Sequence, residues 1–189
     1  MLLIAIPKSA STALMETIAR AHNRPCDMWR KWEGEESKEF PHFHIQHSYG
    51  WELDYDTAQD IVDSPVINKL HIVPSTNNQE LLKLYPKVIL LRQPGDIVKA
   101  YKRGQETKVY TQKTNAFSGC MSDSDWIQRS KELGIYQDLQ EFRRRWIAHK
   151  GCKLVIEYDD LIRNCQHEIG RIEKYWGLPI TGQNSLLRR

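Results

Sequence analysis

The sequence predicts an α/β fold in three layers, with a central parallel β-sheet flanked by helices. Four short runs rich in Ile, Val and Leu have the continuous apolar character of strands that are buried on both faces. These runs are residues 2–6, 66–70, 88–91 and 153–157. Helical patterns separate the runs, and such alternation is typical of a parallel sheet covered on both sides. The 189 residues have the size of one domain, residues 1–189.

The helical patterns cover residues 11–22, 77–85, 96–103, 125–149 and 166–176. Gly134 is expected to divide the long stretch in two, because glycine disfavours a helix interior. Asp159 or Asp160 is expected to cap a further short helix. Two segments, 26–64 and 105–124, fit this scheme poorly and are predicted as long loops or irregular helices over the sheet edge.

The bulk composition restricts the class of protein. The 27 Lys and Arg residues nearly balance the 24 Asp and Glu residues, so charge alone gives no reason to expect nucleic-acid binding, although a local basic pocket remains possible. The four cysteines show neither a metal-type spacing nor a disulfide framework. The apolar opening, residues 1–6, is too short for a signal peptide or a membrane span. We expect a cytoplasmic protein that acts on neither nucleic acid nor membranes.

A loop with phosphate-binding chemistry follows the first predicted strand. Ligands of parallel α/β folds bind outside the carboxyl ends of the strands. Residues 7–12, Pro-Lys-Ser-Ala-Ser-Thr, lie at such an end and lead into a helix. Small residues allow backbone N–H groups to converge on one anion, Lys8 adds a positive charge, and Ser11 and Thr12 add hydroxyl donors. The alternative is a capped strand–turn–helix with a solvated lysine.

Charged residues also follow two other predicted strands. Lys69 and His71 are two residues apart in an extended segment, so their side chains are expected to project to the same side. A histidine can accept a proton near neutral pH, and a lysine can neutralise developing negative charge. Arg92 precedes Pro94 and Gly95 at a third strand end, where a guanidinium could grip a phosphate with two hydrogen bonds.

The loop 7–12 resembles the 5′-phosphosulfate loop of sulfotransferases, Pro-Lys-Ser-Gly-Thr-Thr. Four residues are identical to that motif: Pro7, Lys8, Ser9 and Thr12. Ser11 is a conservative change, and Ala10 replaces the glycine of the family. Cytosolic members continue with a tryptophan that packs on the adenine, whereas Ala13 stands here and is more similar to the carbohydrate-modifying Golgi members.

Three further segments resemble the same family and occur in the family's order. Lys69-Leu70-His71 is similar to the Lys-Thr-His segment, in which the histidine is the general base. The segment 92–96 resembles the 3′-phosphate motif Arg-Asp-Pro-Arg-Asp, but Ala100 stands where the family has a serine. Three basic residues are candidates to replace that serine: Lys99, Lys102 and Arg103. The segment 154–161 resembles the Tyr-Glu-Asp-Leu element, which would place Tyr158 near the adenine.

The resemblance implies a P-loop-like sulfotransferase fold and a transfer of a sulfuryl group from 3′-phosphoadenosine-5′-phosphosulfate (PAPS) to a hydroxyl or amine, with 3′-phosphoadenosine-5′-phosphate (PAP) as the product. It implies no metal requirement and an acceptor that is a small molecule or a carbohydrate. The implied donor-binding residues are Lys8, Ser9, Ala10, Ser11, Thr12, Ala13, Arg92 and Tyr158. The implied catalytic residues are Lys8 at the leaving oxygen, Lys69 at the peripheral sulfuryl oxygens, and His71 as the base.

Several alternatives remain open at this point. The rival bases are His42, His44 and His47, which equally suit an acceptor-site wall. Five aromatic residues suit either an acceptor cleft or a core: Trp29, Trp32, Tyr49, Trp51 and Tyr55. A P-loop kinase-like phosphotransferase is a rival function, although the loop lacks the Walker A Gly-Lys-Ser/Thr pattern. A non-catalytic nucleotide-binding relative is the other rival, because Ala10, Ala13 and Ala100 depart from the family motifs.

Overall fold

The computed structural model describes residues 1–28, 36–43, 52–106 and 116–187. Within these ranges five strands form one sheet: β1 (Leu2–Ala5), β2 (Cys26–Met28), β3 (Ile67–Leu70), β4 (Lys87–Leu91) and β5 (Lys153–Glu157). Every neighbouring pair is parallel, and the strand order is β2-β3-β1-β4-β5. The predicted α/β fold with a central parallel sheet is therefore confirmed.

Eight helices lie in the described ranges: α1 (Ser11–Ala21), α2 (Tyr55–Asp63), α3 (Thr76–Leu81), α4 (Pro94–Glu106), α5 (Asp123–Glu132), α6 (Ile135–Ala148), α7 (Tyr158–Arg163) and α8 (Cys165–Tyr175). Gly134 divides α5 from α6 as predicted, and its φ of 76° is a left-handed conformation that glycine adopts readily. In the described part of the chain, no helix has the length and apolar character needed to cross a membrane.

Strands β1, β3 and β4 are buried on both faces, and the alternation of side chains along β1 divides the core into two clusters. Leu2 and Ile4 of β1 point into one cluster, which also contains Phe142 of α6. Leu3 and Ala5 point into the other cluster, where they meet side chains from three helices, α1, α7 and α8. Successive residues of a strand face opposite sides of a sheet, so the two clusters are its two faces. The predicted three-layer arrangement is confirmed.

Several predicted boundaries needed correction. The segment 26–64, predicted as loops or irregular helices, contains strand β2 and helix α2. The helix predicted over 77–85 is shorter and ends at Leu81. The expected cap at Asp159 or Asp160 is wrong, because α7 begins at Tyr158 and both carboxylates lie within its first turn. Acidic side chains in the first turn stabilise a helix by interacting with the positive end of its dipole, and they do so without acting as the N-cap residue.

A tight turn at the amino edge of the sheet depends on Gly151. A β-carbon added there would lie 2.3 Å from the Lys83 carbonyl oxygen and 2.4 Å from His149 Nε2. Gly151→Ala is therefore expected to lower the free energy of unfolding by about 1–3 kcal/mol or more in urea denaturation, because the backbone must shift. Gly170→Ala is the matched control, since its β-carbon would meet nothing closer than 3.7 Å and alanine favours the α8 helix. Equal losses in the two variants would contradict this account.

A buried lysine lies beside the same turn. Lys87 is fully buried, and its Nζ donates to the Cys152 carbonyl at 3.0 Å and to His149 Nε2 at 3.3 Å. Burial lowers the pKa of Lys87 from its ordinary 10.5 to about 8. Between pH 8 and 10.5 the unfolded chain therefore binds more protons than the folded chain, so the contribution of Lys87 to stability rises with pH across that window.

The lowered pKa of Lys87 makes the free energy of unfolding depend on pH in a measurable way. Across pH 8 to 10.5, the free energy of unfolding of the wild type is expected to gain on that of Lys87→Met as pH rises. Urea titrations at several pH values would show the gain. Lys83→Met removes an exposed lysine and provides the control. Curves for wild type and Lys87→Met that stay parallel throughout would show that Lys87 keeps an ordinary pKa in the fold.

Candidate active site at the carboxyl edge of the sheet

The loop after β1 has the backbone of an anion-binding concavity. Lys8 and Ala10 both adopt left-handed conformations, with φ of 61° and 60°. Ser9 between them is buried, and its hydroxyl donates to the Ile6 carbonyl at 2.6 Å, which ties the loop to the end of the strand. Alternation with left-handed residues turns successive N–H groups toward one point. The hydroxyl of Ser9 therefore shapes the loop, whereas the sequence predicted it only as a donor-binding group.

Ala10 lies at the junction of the loop and helix α1. It is the N-cap residue, and its methyl group cannot accept a hydrogen bond from the first turn. The first-turn N–H groups and the positive end of the helix dipole therefore favour an anion at this point. Its left-handed φ also explains why related loops have glycine here, since a β-carbon costs roughly 1–2 kcal/mol in that conformation.

Arg92 joins the tips of three strands. It follows β4, its Nη1 donates to the Lys8 carbonyl at 2.5 Å, and its guanidinium carbon lies 4.0 Å from the centre of the Tyr158 ring at the end of β5. The Arg92 Nε is buried and has no hydrogen-bond partner. A buried donor of this kind suits an anionic oxygen, so Arg92 fits the predicted phosphate contact.

Tyr158 has a contact that the sequence did not predict. Its ring packs against the guanidinium of Arg92, an attractive arrangement between a cation and an aromatic face. The preceding residue, Glu157, accepts two hydrogen bonds from Arg143 at 2.7 and 3.0 Å, which fixes the end of β5. No spacing in the sequence indicates either pair.

Lys69 and His71 project to the same side of β3, as predicted, and meet the loop. Lys69 Nζ lies 2.9 Å from Thr12 Oγ1 and 3.2 Å from His71 Nε2, and His71 Nδ1 lies 2.7 Å from the Ala5 carbonyl oxygen. A carbonyl oxygen only accepts hydrogen bonds, so His71 donates through Nδ1–H and keeps its lone pair on Nε2. Three of the predicted site residues thus adjoin one another: Thr12, Lys69 and His71.

The protonation of His71 follows from its surroundings. Burial, and then the nearby Lys69 ammonium, lower the pKa of His71 to about 3, against the opposing effect of the Ala5 carbonyl. The imidazole is therefore neutral at pH 7. Burial also lowers the pKa of the half-buried Lys8 ammonium below its usual range. The lone pair of His71 lies on Nε2, 3.2 Å from the Lys69 ammonium, and its basicity in this state is far below the optimum for a general base.

The residues around Ala100 are paired with carboxylates. Lys99 Nζ lies 3.4 Å from Asp96, and Lys102 Nζ lies 3.3 Å from Asp123. Both cations lie on α4, the helix that follows Arg92. Lys99, Lys102 and Arg103 remain the candidates for the contact that a serine makes in the family motif.

Of the rival bases, His42 is described, while His44 and His47 lie outside the described residues. The His42 backbone N–H donates to Asp138 at 2.8 Å, and its ring lies 3.5 Å from the other oxygen of that carboxylate. These contacts tie His42 to α6, whereas His71 contacts Lys69 of β3 and the Ala5 carbonyl at the end of β1. Tyr55 is 67% exposed on α2, and the other aromatic candidates, Trp29, Trp32, Tyr49 and Trp51, lie outside the described residues.

The described ranges contain no group of three or more His, Cys, Asp and Glu side chains that could hold a metal ion. Three cations lie at the ends of neighbouring strands: Lys8 after β1, Lys69 near the end of β3 and Arg92 after β4.

Comparison with known proteins adds an independent finding about the fold. No protein-family model and no curated protein sequence matches the chain. Solved structures do match. A sulfotransferase from Alicyclobacillus acidocaldarius superposes with a TM-score of 0.56 at 14% identity, over 100% of this chain and 85% of that one.

Two structures with bound PAP are also similar. A mouse sulfotransferase complexed with PAP matches 95% of this chain with a TM-score of 0.59 at 13% identity. Retinol dehydratase in complex with androsterone and inactive cofactor PAP matches 97% of it with a TM-score of 0.59 at 14% identity. The chain spans only 58% and 61% of the length of these two proteins. At such identities the likeness concerns architecture, and it establishes that this chain has the sulfotransferase fold.

Proposed function

We propose that the chain is a PAPS-dependent sulfotransferase that transfers a sulfuryl group to an acceptor hydroxyl or amine. The observation that carries this proposal is the bond from Arg92 to the Lys8 carbonyl. This bond holds the Arg92 guanidinium against the loop 7–12, which supports a shared role of the two in donor binding, in a fold whose solved examples include complexes with PAP. PAPS has anionic groups at both the 5′ and the 3′ position of its ribose, so its binding needs two such cationic positions.

The loop 7–12 and Arg92 would bind different parts of PAPS. The backbone of Lys8–Thr12 and the start of α1 would hold the 5′-phosphosulfate, because both favour an anion. Arg92 would hold the 3′-phosphate, and its buried Nε–H is one of the groups that could donate a hydrogen bond to it. This contact would distinguish PAPS from ATP, which has no 3′-phosphate. Tyr158 would keep the guanidinium in place through its ring.

The chemistry requires one bond to form and one to break. PAPS supplies a sulfuryl group, whose sulfur–oxygen bond to the 5′-phosphate breaks as a new bond forms to the acceptor oxygen. His71 Nε2 would accept the proton of the acceptor hydroxyl. Lys8 would neutralise the bridging oxygen as it leaves with PAP, and Lys69 would balance the peripheral oxygens. Positioned cations of this kind are typically worth about 10²–10³ in rate.

The acceptor site is proposed more broadly, as a cleft for a small molecule or a carbohydrate. The similar solved proteins include retinol dehydratase, in complexes with androsterone and with retinol. Those complexes support a proposed site that takes an apolar small molecule. A carbohydrate acceptor is proposed from the position of Ala13, which is similar to the carbohydrate-modifying members.

Calorimetric titration with three nucleotides tests the donor class. PAP should bind at least 10-fold more tightly than AMP, because Arg92 has a partner only in PAP. ATP with Mg²⁺ should bind more weakly than PAP. Tighter binding of ATP with Mg²⁺ would favour a kinase-like enzyme instead. PAP binding without sulfuryl transfer to any of a panel of hydroxyl acceptors would favour a non-catalytic relative.

A further inference from the structure

The ammonium of Lys69 lies between the donor loop and the base. Its Nζ is 2.9 Å from Thr12 Oγ1, in the loop, and 3.2 Å from His71 Nε2. Lys69 is 5% exposed, so these contacts lie within the protein. Both of these acceptors are electrically neutral. An anionic oxygen is a stronger acceptor for an ammonium than either, since hydrogen bonds between two ionised groups are roughly twice as strong.

The tautomer of His71 leaves Nε2 as the ring nitrogen that could accept a proton. Because Nδ1–H donates to the Ala5 carbonyl, the lone pair lies on Nε2. That lone pair is directed to the Lys69 ammonium. A lone pair that already accepts a hydrogen bond is not free to accept the proton of an acceptor hydroxyl.

We propose that Lys69 masks the base His71 in the donor-free protein and releases it when PAPS binds, so that the base becomes competent only after the donor is in place. The ammonium would turn from the neutral imidazole to the anionic sulfuryl oxygens, while Thr12 keeps it against the loop. Binding of the donor would thereby precede activation of the acceptor. This inference rests on the proposed function and assigns Lys69 a role before the transfer as well as during it.

The charges around His71 agree with PAPS binding before the acceptor hydroxyl is activated. The Lys69 and Lys8 ammonium groups both lower its pKa, after burial, and the Ala5 carbonyl raises it. A bound phosphosulfate would offset both ammonium charges. An opposite charge within about 4–6 Å typically changes a pKa by roughly 1–3 units. Donor binding therefore moves His71 toward the basicity that a general base needs.

Imidazole NMR of the protein with and without PAPS, in the absence of acceptor, tests the masking. His71→Asn identifies the His71 signals among the seven histidines. In the free protein His71 should remain neutral down to pH 5. With saturating PAPS its midpoint should rise by roughly 1–3 pH units. A free-protein midpoint near 6.5, or a midpoint that PAPS leaves unchanged, would overturn the inference.

Lys69→Met provides a second measurement that does not require turnover. Without the ammonium, the His71 midpoint should be higher in the free protein, and PAPS should raise it less than in wild type. Lys83→Met removes an exposed lysine just after the end of α3; it is the control, and its His71 should titrate as in the wild type. If Lys69→Met does not fold, as circular dichroism would show, the wild-type titration decides alone.

The two proposals fail in different ways. If the NMR signals of the loop 7–12 show that PAPS binds, and the midpoint of the His71 titration stays constant, the proposed masking is wrong and the proposed donor site stands. If PAPS does not bind at all, both the proposed function and the masking are wrong.

Discussion

His71→Asn is expected to lower the rate of sulfuryl transfer by a factor of about 10²–10⁴, the usual contribution of a positioned general base. Asparagine keeps a side-chain donor for the Ala5 carbonyl but has no basic nitrogen. The affinity for PAP should change little, because the proposed donor contacts come from the loop and Arg92. The measurement is PAP formation from PAPS with any acceptor that the wild type uses.

His42→Asn distinguishes the rival assignment. The described contacts of His42 are with Asp138 and α6, so its substitution should leave most of the transfer rate intact. If His42→Asn abolishes transfer and His71→Asn does not, the base lies in the segment 42–47.

Arg92→Met is expected to remove the preference for PAP over AMP. The hydrogen bonds of an arginine to a phosphate are worth about 1.5–3 kcal/mol, so the PAP dissociation constant should rise roughly 10- to 150-fold. Binding of AMP, which has no 3′-phosphate, should weaken far less. Loss of both affinities to the same extent would mean that Arg92 acts mainly through the Lys8 carbonyl, by holding the loop.

Tyr158 offers a matched pair of variants for the same contact. Tyr158→Phe keeps the aromatic face below the guanidinium and should bind PAP as wild type does. Tyr158→Leu removes that face and should weaken PAP binding by roughly 2- to 5-fold, which corresponds to the 0.5–1 kcal/mol of an exposed cation–π contact. If Tyr158→Phe weakens binding as much as Tyr158→Leu, the phenol hydroxyl contacts the donor directly.

The fold could be predicted because four of the five strands are short runs rich in Ile, Val and Leu that lie between helices. Strand β2 was missed because it has only three residues, Cys26–Met28, with a charged aspartate at its centre. It forms an edge of the sheet, beside β3. A strand so short gives no periodic signal, and its existence depends on pairing with a strand about forty residues later.

The sequence predicted which residues of the candidate site lie at the ends of strands. It did not predict which of these residues form hydrogen bonds with one another. The order of strands brings β1 between β3 and β4, so Lys8, Lys69 and Arg92 meet. The bonds themselves join residues 57 and 84 positions apart, Lys69 to Thr12 and Arg92 to Lys8, and no local pattern encodes such pairs. The bond from His71 to the Ala5 carbonyl, which sets the tautomer of the imidazole, likewise joins residues 66 positions apart.

A crystal structure of the chain with PAP tests the proposed donor site. The 5′-phosphate is expected on the backbone of residues 8–12 at the start of α1, and the 3′-phosphate within hydrogen-bond distance of the Arg92 guanidinium. PAP bound elsewhere, or bound with its 3′-phosphate away from Arg92, would contradict it.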